Sequence, residues 1–165
     1  GFYMINRMEL LRLIENNAKM TIDEMAIMLG AEACEVESEL KLLEDEKIIL
    51  GTTTQINWEK TDRETCLAMI EVRIAPMRNK GYDHIANLLC KYEKVSACYL
   101  MSGGSDLMLI YDGKTLREVA EFVSDKIAPL EGVLSTTTHF ILKKYKTNGI
   151  MYDEEDEDNR QSIIL

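Results

Sequence analysis

Residues 95–145 read VSACYLMSGGSDLMLIYDGKTLREVAEFVSDKIAPLEGVLSTTTHFILKKY, and this stretch decides the fold. Two apolar runs within it, Ser96–Met101 and Leu107–Tyr111, have the length of strands. The joint between them consists of small or polar residues, which suit a turn with open backbone amides: Ser102, Gly103, Gly104, Ser105 and Asp106. The stretch therefore begins with two short strands and a tight connection.

The residues on either side complete a repeating order of elements. Apolar residues recur at helical spacing after the second run: Leu116, Val119, Ala120, Phe122, Val123 and Ile127. Val133–Tyr145 then predicts a last strand, Cys66–Ala75 alternates like a strand that Pro76 ends, and Tyr82–Tyr92 predicts a helix. Strand, helix, strand, strand, helix, strand is the order of the ferredoxin-like split βαβ fold.

The first 58 residues predict a helical unit. Met8–Ile14 carries an apolar stripe, and Thr21 with Glu24 forms a capping-box pattern before a short helix that stops at Gly30. A longer helix, Cys34–Lys47, follows after a tight turn. This is the spacing of a helix-turn-helix, with an ordinary three-helix bundle as the alternative.

Residues 48–58 (IILGTTTQINW) predict a small hairpin that would form a wing beside the helices. The polar stretch Asn57–Arg63 is typical of a hinge. We therefore expect an α+β chain with a winged helix-turn-helix domain (1–58), a linker (59–63), a ferredoxin-like domain (64–149) and an acidic tail (150–165).

Charge is distributed unevenly along the chain. The 165 residues carry a net charge of −10, with 46% hydrophobic residues. Residues 1–58 hold 5 Lys and Arg against 11 Asp and Glu, residues 59–149 hold 13 against 12, and residues 150–165 hold 1 against 6. No apolar run has the length of a membrane span and no secretory pattern opens the chain, so we expect a cytoplasmic protein.

The residues that usually carry chemistry are sparse. The cysteines (Cys34, Cys66, Cys90 and Cys98) are widely spaced, with no histidine at ligand spacing. We interpret them as reduced packing residues and expect no metal, no cofactor and no enzymatic activity. His139 lies in the middle of the last predicted strand, where a structural or interface role is expected.

With both halves described, the chain resembles the Lrp/AsnC (feast/famine) family of transcriptional regulators over roughly residues 8–146. The resemblance rests on the helix-turn-helix frame and on several short motifs: Leu43-Glu44, Ile48-Ile49-x-Gly51, Ser102-Gly103-x-x-Asp106, and Leu130-x-Gly132-Val133 followed by Thr136 and Thr138. It implies DNA binding by the first domain and ligand sensing by the second. It also implies homodimers that pair through their sheets, with tetramers or octamers built from them.

The resemblance further implies where a small effector, usually an amino acid, would bind. The family binds it where dimers meet, close to the glycine-containing loop. Here the corresponding residues are Ser102, Gly103, Gly104, Ser105, Asp106, Thr136 and Thr138. Glycines let the backbone approach the ligand, and the Asp106 carboxylate would accept from its ammonium group. The alternative is that Gly103 and Asp106 only shape a turn, with Asp106 accepting from nearby amides.

The predicted recognition helix departs from the family pattern. Between Ala31 and Glu46 there are seven carboxylates and only one cation, Lys41. A helix in the major groove faces phosphates, which carboxylates repel. The remaining candidate contacts are Lys19, Thr21, Lys41, Lys47, Thr52 and Thr53. Either the protein binds DNA weakly or as a large assembly, or the first domain has become a protein-binding or oligomerising module.

Two further interpretations complete the sequence-based picture. The acidic run Asp153–Asp158 predicts a disordered tail, and the alternative is that residues 163–165 pack against a neighbouring subunit.

Some relatives with this two-domain architecture are sirohaem decarboxylases. We see no cluster of histidine and arginine that would hold an anionic tetrapyrrole, so this enzymatic alternative is remote.

Overall fold

The computed structural model describes residues 4–76 and 81–153. It divides between Thr54 and Gln55 into two compact units. Of the predicted tail (150–165), only residues 150–153 are described, and Ile150–Met151 form a short paired strand there. Residues 154–165 lie outside the described residues. The domain limits expected from the sequence place the division a few residues later, and they stay a prediction.

The first unit consists of three helices. These are α1 (Arg7–Asn16), α2 (Ile22–Leu29) and α3 (Ala33–Asp45). The predicted capping box is present at α2, where Thr21 accepts from the amide of Glu24. Gly30 ends α2 with a φ of 63°, a left-handed conformation that glycine adopts without strain. Buried residues from all three helices form the core: Leu10, Met25, Ala26, Val36 and Leu43.

The predicted wing is wrong, because residues 48–58 contain no paired strands in the described structure. Lys47 turns the chain with a φ of 61°, and the amides of Ile48 and Ile49 donate to the carbonyl of Leu43 at 2.9 and 3.1 Å. Ile49 packs on the core, whereas residues 50–54 are exposed. The stretch has no Asn-Gly or Asp-Gly to form a tight turn, and an isolated two-stranded ribbon is marginal in water.

The second unit has the predicted ferredoxin-like order. Its elements are β1 (Cys66–Ile74), α4 (Tyr82–Cys90), β2 (Val95–Leu100), β3 (Leu107–Gly113), α5 (Leu116–Phe122) and β4 (Val133–Phe140). The four strands are antiparallel in the order β2-β3-β1-β4. A 3₁₀ turn (Trp58–Lys60) precedes β1, and two short paired strands, β5 (Lys146–Thr147) and β6 (Ile150–Met151), follow β4.

One face of the sheet packs against the helices. Alternate residues of β1, from Ala68 to Ile74, are buried there with Ile85 and Leu89 of α4 and Val119 of α5. The alternation predicted for β1 is therefore confirmed.

The helical pattern of the α5 region is only partly right, since Leu116 and Ala120 are exposed. After Phe122 the helix continues as a π-turn over Val123–Ile127. The extra residue of this turn brings Ile127 into the core, at a place where an uninterrupted α-helix would direct Lys126 inward.

The opposite face of the sheet carries a mixed surface that we call the open face: Leu67, Met69 and Glu71 of β1, Met108 and Ile110 of β3, Ala97 and Tyr99 of β2, and Thr137 and His139 of β4. His139 Nε2 lies 3.1 Å from Glu71 Oε2 across β4 and β1. The apolar members of the open face are concentrated on the two central strands.

Candidate functional site

The loop Ser102–Asp106 connects β2 to β3 at one end of the sheet. The amide of Met101 donates to the carbonyl of Asp106 at 2.8 Å, which closes the loop. Gly103 has a φ of 103°, a conformation that other residues rarely adopt. Residues 102–104 are exposed, whereas Ser105 and Asp106 are half-buried. The predicted turn is therefore present, with its glycines accessible to solvent.

Asp106 attaches this loop to β1. Its Oδ2 accepts from the amide of Ile74 at 2.7 Å, and its own amide donates to the carbonyl of Val72 at 3.2 Å. The register of β1 against β4 shifts between Arg73 and Ile74, so the Asp106 carboxylate satisfies an amide at an irregular position of the strand. This geometry supports a turn-shaping role for Asp106, and its role as an ammonium acceptor stays a prediction.

Replacing Asp106 with alanine is expected to lower the free energy of unfolding of the second unit by about 1–3 kcal/mol, because the buried amide of Ile74 loses its acceptor. Urea denaturation monitored by the fluorescence of Trp58, the single tryptophan, measures this. Asp112→Ala, an exposed position on β3, is the control and should change stability by less than about 0.5 kcal/mol. Equal effects of the two substitutions would contradict the anchoring role.

Thr136 and Thr138 lie across the sheet from the loop, on the far side of β1. Both lie half-buried on β4, opposite Val72 and Ile70 of β1. β1 separates β4 from β3, so the threonines and the loop are about two strand spacings apart, roughly 10 Å. The joint role of the loop and the two threonines in binding an effector therefore stays a prediction.

The predicted DNA contacts are distributed over the first unit. Lys19 lies exposed before α2, and Thr21 caps that helix. Lys41 is exposed on α3 and Lys47 just after it. Thr52 and Thr53 are exposed in the extended segment that replaces the wing. The hydroxyl of Thr21 accepts a hydrogen bond from the amide of Glu24. Within the described residues, the side chains of the other five candidates make no hydrogen bond to the protein.

The acidic character of α3 remains at its surface. Arg7 of α1 pairs with Glu39 and Glu46, two contacts that the sequence analysis missed. The hydrogen bond to Arg7 lowers the pKa of Glu46, and the hydrogen bonds to Glu46 and Glu39 raise the pKa of Arg7. The other five carboxylates are exposed: Glu32, Glu35, Glu37, Glu44 and Asp45. Arg7 therefore offsets only part of the negative charge on this helix.

The structure also brings together two thiols that are distant in the sequence. Cys90 is exposed at the end of α4, and Cys98 is half-buried on β2, which packs against α4. Burial and the neighbouring Cys90 thiol raise the pKa of Cys98 to about 11. Nothing in the spacing of the cysteines along the sequence indicates this proximity, which only the structure shows.

Cys98 is expected to resist alkylation near neutral pH, because only the thiolate reacts. At pH 8, iodoacetamide should label the exposed Cys34 and Cys90 first, and labelling of Cys98 should rise only as the pH approaches 11. Peptide mass spectrometry measures each site, with the urea-unfolded chain as control. Since the folded-state pKa exceeds the ordinary value of 9.0, this thiol contributes stability that is lost as the pH rises from about 9 to 11.

The described residues contain no group of three or more histidine, cysteine, aspartate or glutamate side chains that could hold a metal ion. Across the same residues, we find no helix with the length and apolar character that crossing a membrane requires.

The two units define a helix-turn-helix protein with an attached four-stranded ferredoxin-like domain. Residues 67–151 match the model of the Lrp/AsnC ligand binding domain. The chain is 40% identical over 153 residues, 92% of each chain, to the uncharacterized HTH-type transcriptional regulator YugG of Bacillus subtilis. The chain therefore belongs to the Lrp/AsnC family of transcriptional regulators.

Solved structures share the fold at lower sequence identity. A transcriptional regulator of Neisseria meningitidis in complex with L-methionine superposes with a TM-score of 0.68 at 22% identity, covering 87% of this chain and 94% of that one. A feast or famine regulatory protein of Mycobacterium tuberculosis, also complexed with L-methionine, gives a TM-score of 0.68 at 22% identity, covering 84% and 90%. The predicted fold class, α+β with a helix-turn-helix and a ferredoxin-like domain, is confirmed.

Proposed function

We propose that this protein is an effector-responsive transcriptional regulator that binds DNA through α2 and α3 and a small amino acid through its sheet domain. The 40% identity to a helix-turn-helix regulator over 92% of the chain carries the proposal. The two L-methionine complexes of the same fold support an amino acid as the class of effector. Relatives that regulate transcription support a non-enzymatic role in the cytoplasm.

The geometry of the first unit is suitable for DNA, but its charge is unfavourable. α3 follows α2 after a three-residue turn and exposes one side to solvent. Lys41 is the one cation within α3, and exposed glutamates surround it. We therefore propose weak binding by each helix-turn-helix unit, strengthened when several units of an assembly contact one DNA molecule.

A salt titration tests DNA binding. Fluorescence anisotropy with the promoter fragment beside its own gene should show affinity that falls steeply between about 50 and 200 mM salt. Lys41→Gln should weaken binding and make the slope of log K against log salt shallower by about 1. Glu37→Gln should tighten binding because a repulsive charge is removed. Lys126→Gln, an exposed position in the second unit, is the control and should match the wild type.

The exposed carboxylates of α3 favour a second candidate function. A negative helix surface suits a basic protein partner better than a phosphate backbone. No salt-sensitive DNA binding at about 50 mM salt, together with no gain from Glu37→Gln, would reject the DNA proposal and favour a protein-binding role for the first unit.

We further propose that the open face forms a homodimer. Leu67, Met69 and Ile110 are only half-buried there, and Tyr99 is exposed. Pairing two such faces would remove this apolar surface from water. Sedimentation velocity should show a dimer that Met69→Glu dissociates, whereas Leu116→Glu, an exposed leucine at the start of α5 on the other side of the sheet, should not. An unchanged sedimentation coefficient for Met69→Glu would contradict this interface.

The effector site is proposed at the loop 102–106, with Thr136 and Thr138 contributing from across the assembly. A thermal-shift screen against the twenty amino acids should identify one that stabilises the protein, by about 2.7 kcal/mol at 100 times its Kd. Asp106→Ala alone would be ambiguous, because this carboxylate also holds β1. Gly104→Leu is the sharper variant, since a Cβ at this position meets nothing within 4 Å.

Gly51→Leu serves as the matched control, because it is equally open and lies outside the second unit. Loss of the ligand-induced shift in Gly104→Leu, with Gly51→Leu unaffected, would support the loop as the site. A shift retained in Gly104→Leu would place the effector elsewhere.

A further inference from the structure

A small cavity lies at the other end of the second unit's sheet, away from the loop 102–106. Its volume is about 140 Å³. The hinge segment, which we define as residues 57–63, forms one wall. The beginning of β1, the end of β3 and residues 141–144 after β4 form the others. The helix-turn-helix unit contributes no described residue to this lining.

Three cations line the cavity: Arg63, Lys143 and Lys144. The Arg63 guanidinium carbon lies 4.3 Å from the centre of the Trp58 ring, and Lys144 Nζ lies 5.5 Å from the centre of the Tyr152 ring. Stacking on an aromatic face fixes the plane of a guanidinium and leaves its N–H edge free to bind a carboxylate with two hydrogen bonds.

The described protein does not neutralise these cations. Glu59 and Asp112 also line the cavity, so the cations outnumber the carboxylates by one. Among the described residues, no carboxylate lies within the 4 Å of an ion pair from any of the three cations. With respect to the described residues, these cations are therefore available for a ligand.

We propose that this cavity binds a carboxylate group, with Arg63 as the bidentate partner and Lys143 and Lys144 supplying further positive charge. A cavity of about 150 Å³ accommodates benzene, so the space suits a carboxylic acid of about six non-hydrogen atoms. Binding attaches the hinge segment to the ends of β1 and β3, directly after the point where the two units divide.

The carboxylate has two possible sources. One is a free small acid. The other is the chain itself, because the acidic residues Glu154–Asp158 begin two positions after Tyr152 in the sequence. The chemistry of recognition is the same for both sources, and the experiment separates them.

Trp58 reports on the cavity directly, because it is the single tryptophan and lies under Arg63. The full chain is titrated with sodium L-lactate, L-alanine and acetate at constant ionic strength, with sodium chloride as the reference salt. A saturable change in Trp58 fluorescence is expected for at least one acid. Isothermal titration calorimetry measures the same affinity without depending on the fluorophore.

Variants of the full chain test whether Arg63 is the residue that binds the carboxylate. Arg63→Gln should weaken binding about tenfold or more, and Arg63→Lys should restore only part of it because the fork geometry is lost. Arg117→Gln, an exposed arginine on α5, is the control and should bind like the wild type. Unchanged affinity in Arg63→Gln with an unchanged melting temperature would overturn the proposal.

A variant with residues 154–158 converted to their amides separates the two sources. If the ligand is a free acid, the wild type and this variant respond alike. If the chain's own carboxylates occupy the cavity, only the amide variant responds to added acid. No response in either protein overturns the proposal. Gly104→Leu should leave the Trp58 response intact, so this test is independent of the effector site at the loop.

Discussion

Leu109→Ala is expected to lower the free energy of unfolding of the second unit by about 2–5 kcal/mol. Leu109 lies on β3 with 0% of its surface exposed, and Ile70 and Cys98 face it from the two neighbouring strands. Truncation removes the transfer free energy of the side chain and leaves a cavity that these strands cannot close. Urea denaturation monitored by Trp58 fluorescence measures the loss.

Leu134→Ala provides the matched control for this substitution. Leu134 lies on the edge strand β4 and is 64% exposed, so its truncation should change the unfolding free energy by less than about 0.5 kcal/mol. Because the chain has two units, the measurement uses Trp58 for the second unit and circular dichroism for the whole chain. Similar losses at Leu109 and Leu134 would show that β3 is not the centre of the core.

Gly113→Ala is the second substitution with a large expected effect, a loss of about 1–3 kcal/mol from overpacking. A Cβ built at Gly113 would lie 2.8 Å from Cγ2 of Val119, 3.1 Å from the carbonyl oxygen of Cys66 and 3.2 Å from the Tyr111 ring. The Cys66 carbonyl belongs to the adjacent strand and cannot move without disturbing the sheet. The same urea titration measures the loss.

Gly104→Ala is the control for Gly113, since it lies in the same unit and its Cβ would meet nothing within 4 Å. Its unfolding free energy should stay the same or rise slightly, because alanine restricts the unfolded chain more than glycine does. If Gly113→Ala were as stable as Gly104→Ala, the close contact between β3 and α5 at this position would be disproved.

Local patterns predicted most of the fold because they act within a few residues. The capping box of Thr21 and Glu24 and the glycine stop at Gly30 are short-range hydrogen-bond and backbone effects, and both are present in the structure. The alternation of β1 likewise follows from a period of two residues, and its buried positions from Ala68 to Ile74 agree. The type and order of these elements could therefore be predicted from the sequence.

Sequence patterns were less reliable where contacts with another helix or strand decide the local structure. The threonine-rich stretch after α3 has strand propensity but no partner strand, so no wing forms within the described residues. Leu116 satisfied the helical pattern of α5 and is nevertheless 60% exposed. The π-turn that brings Ile127 inward depends on how the end of α5 meets the sheet, which no local period indicates.

The candidate sites depend even more on long-range contacts. The sequence singled out the loop with Asp106, but only the structure shows that its carboxylate accepts from Ile74, 32 positions earlier. The pairing of Arg7 with Glu39, the approach of Cys98 to Cys90, and the cavity beside Trp58 all join residues from separate elements.

The sequence by itself determined the two-part architecture, the family resemblance and the negative charge of α3, since composition, period and capping are properties of the chain. Only the tertiary structure decided which polar groups are already satisfied and which remain free to bind. The physical reason is that hydrogen bonds and ion pairs depend on distances of a few ångströms between atoms, and folding alone sets those distances for residues far apart in the chain.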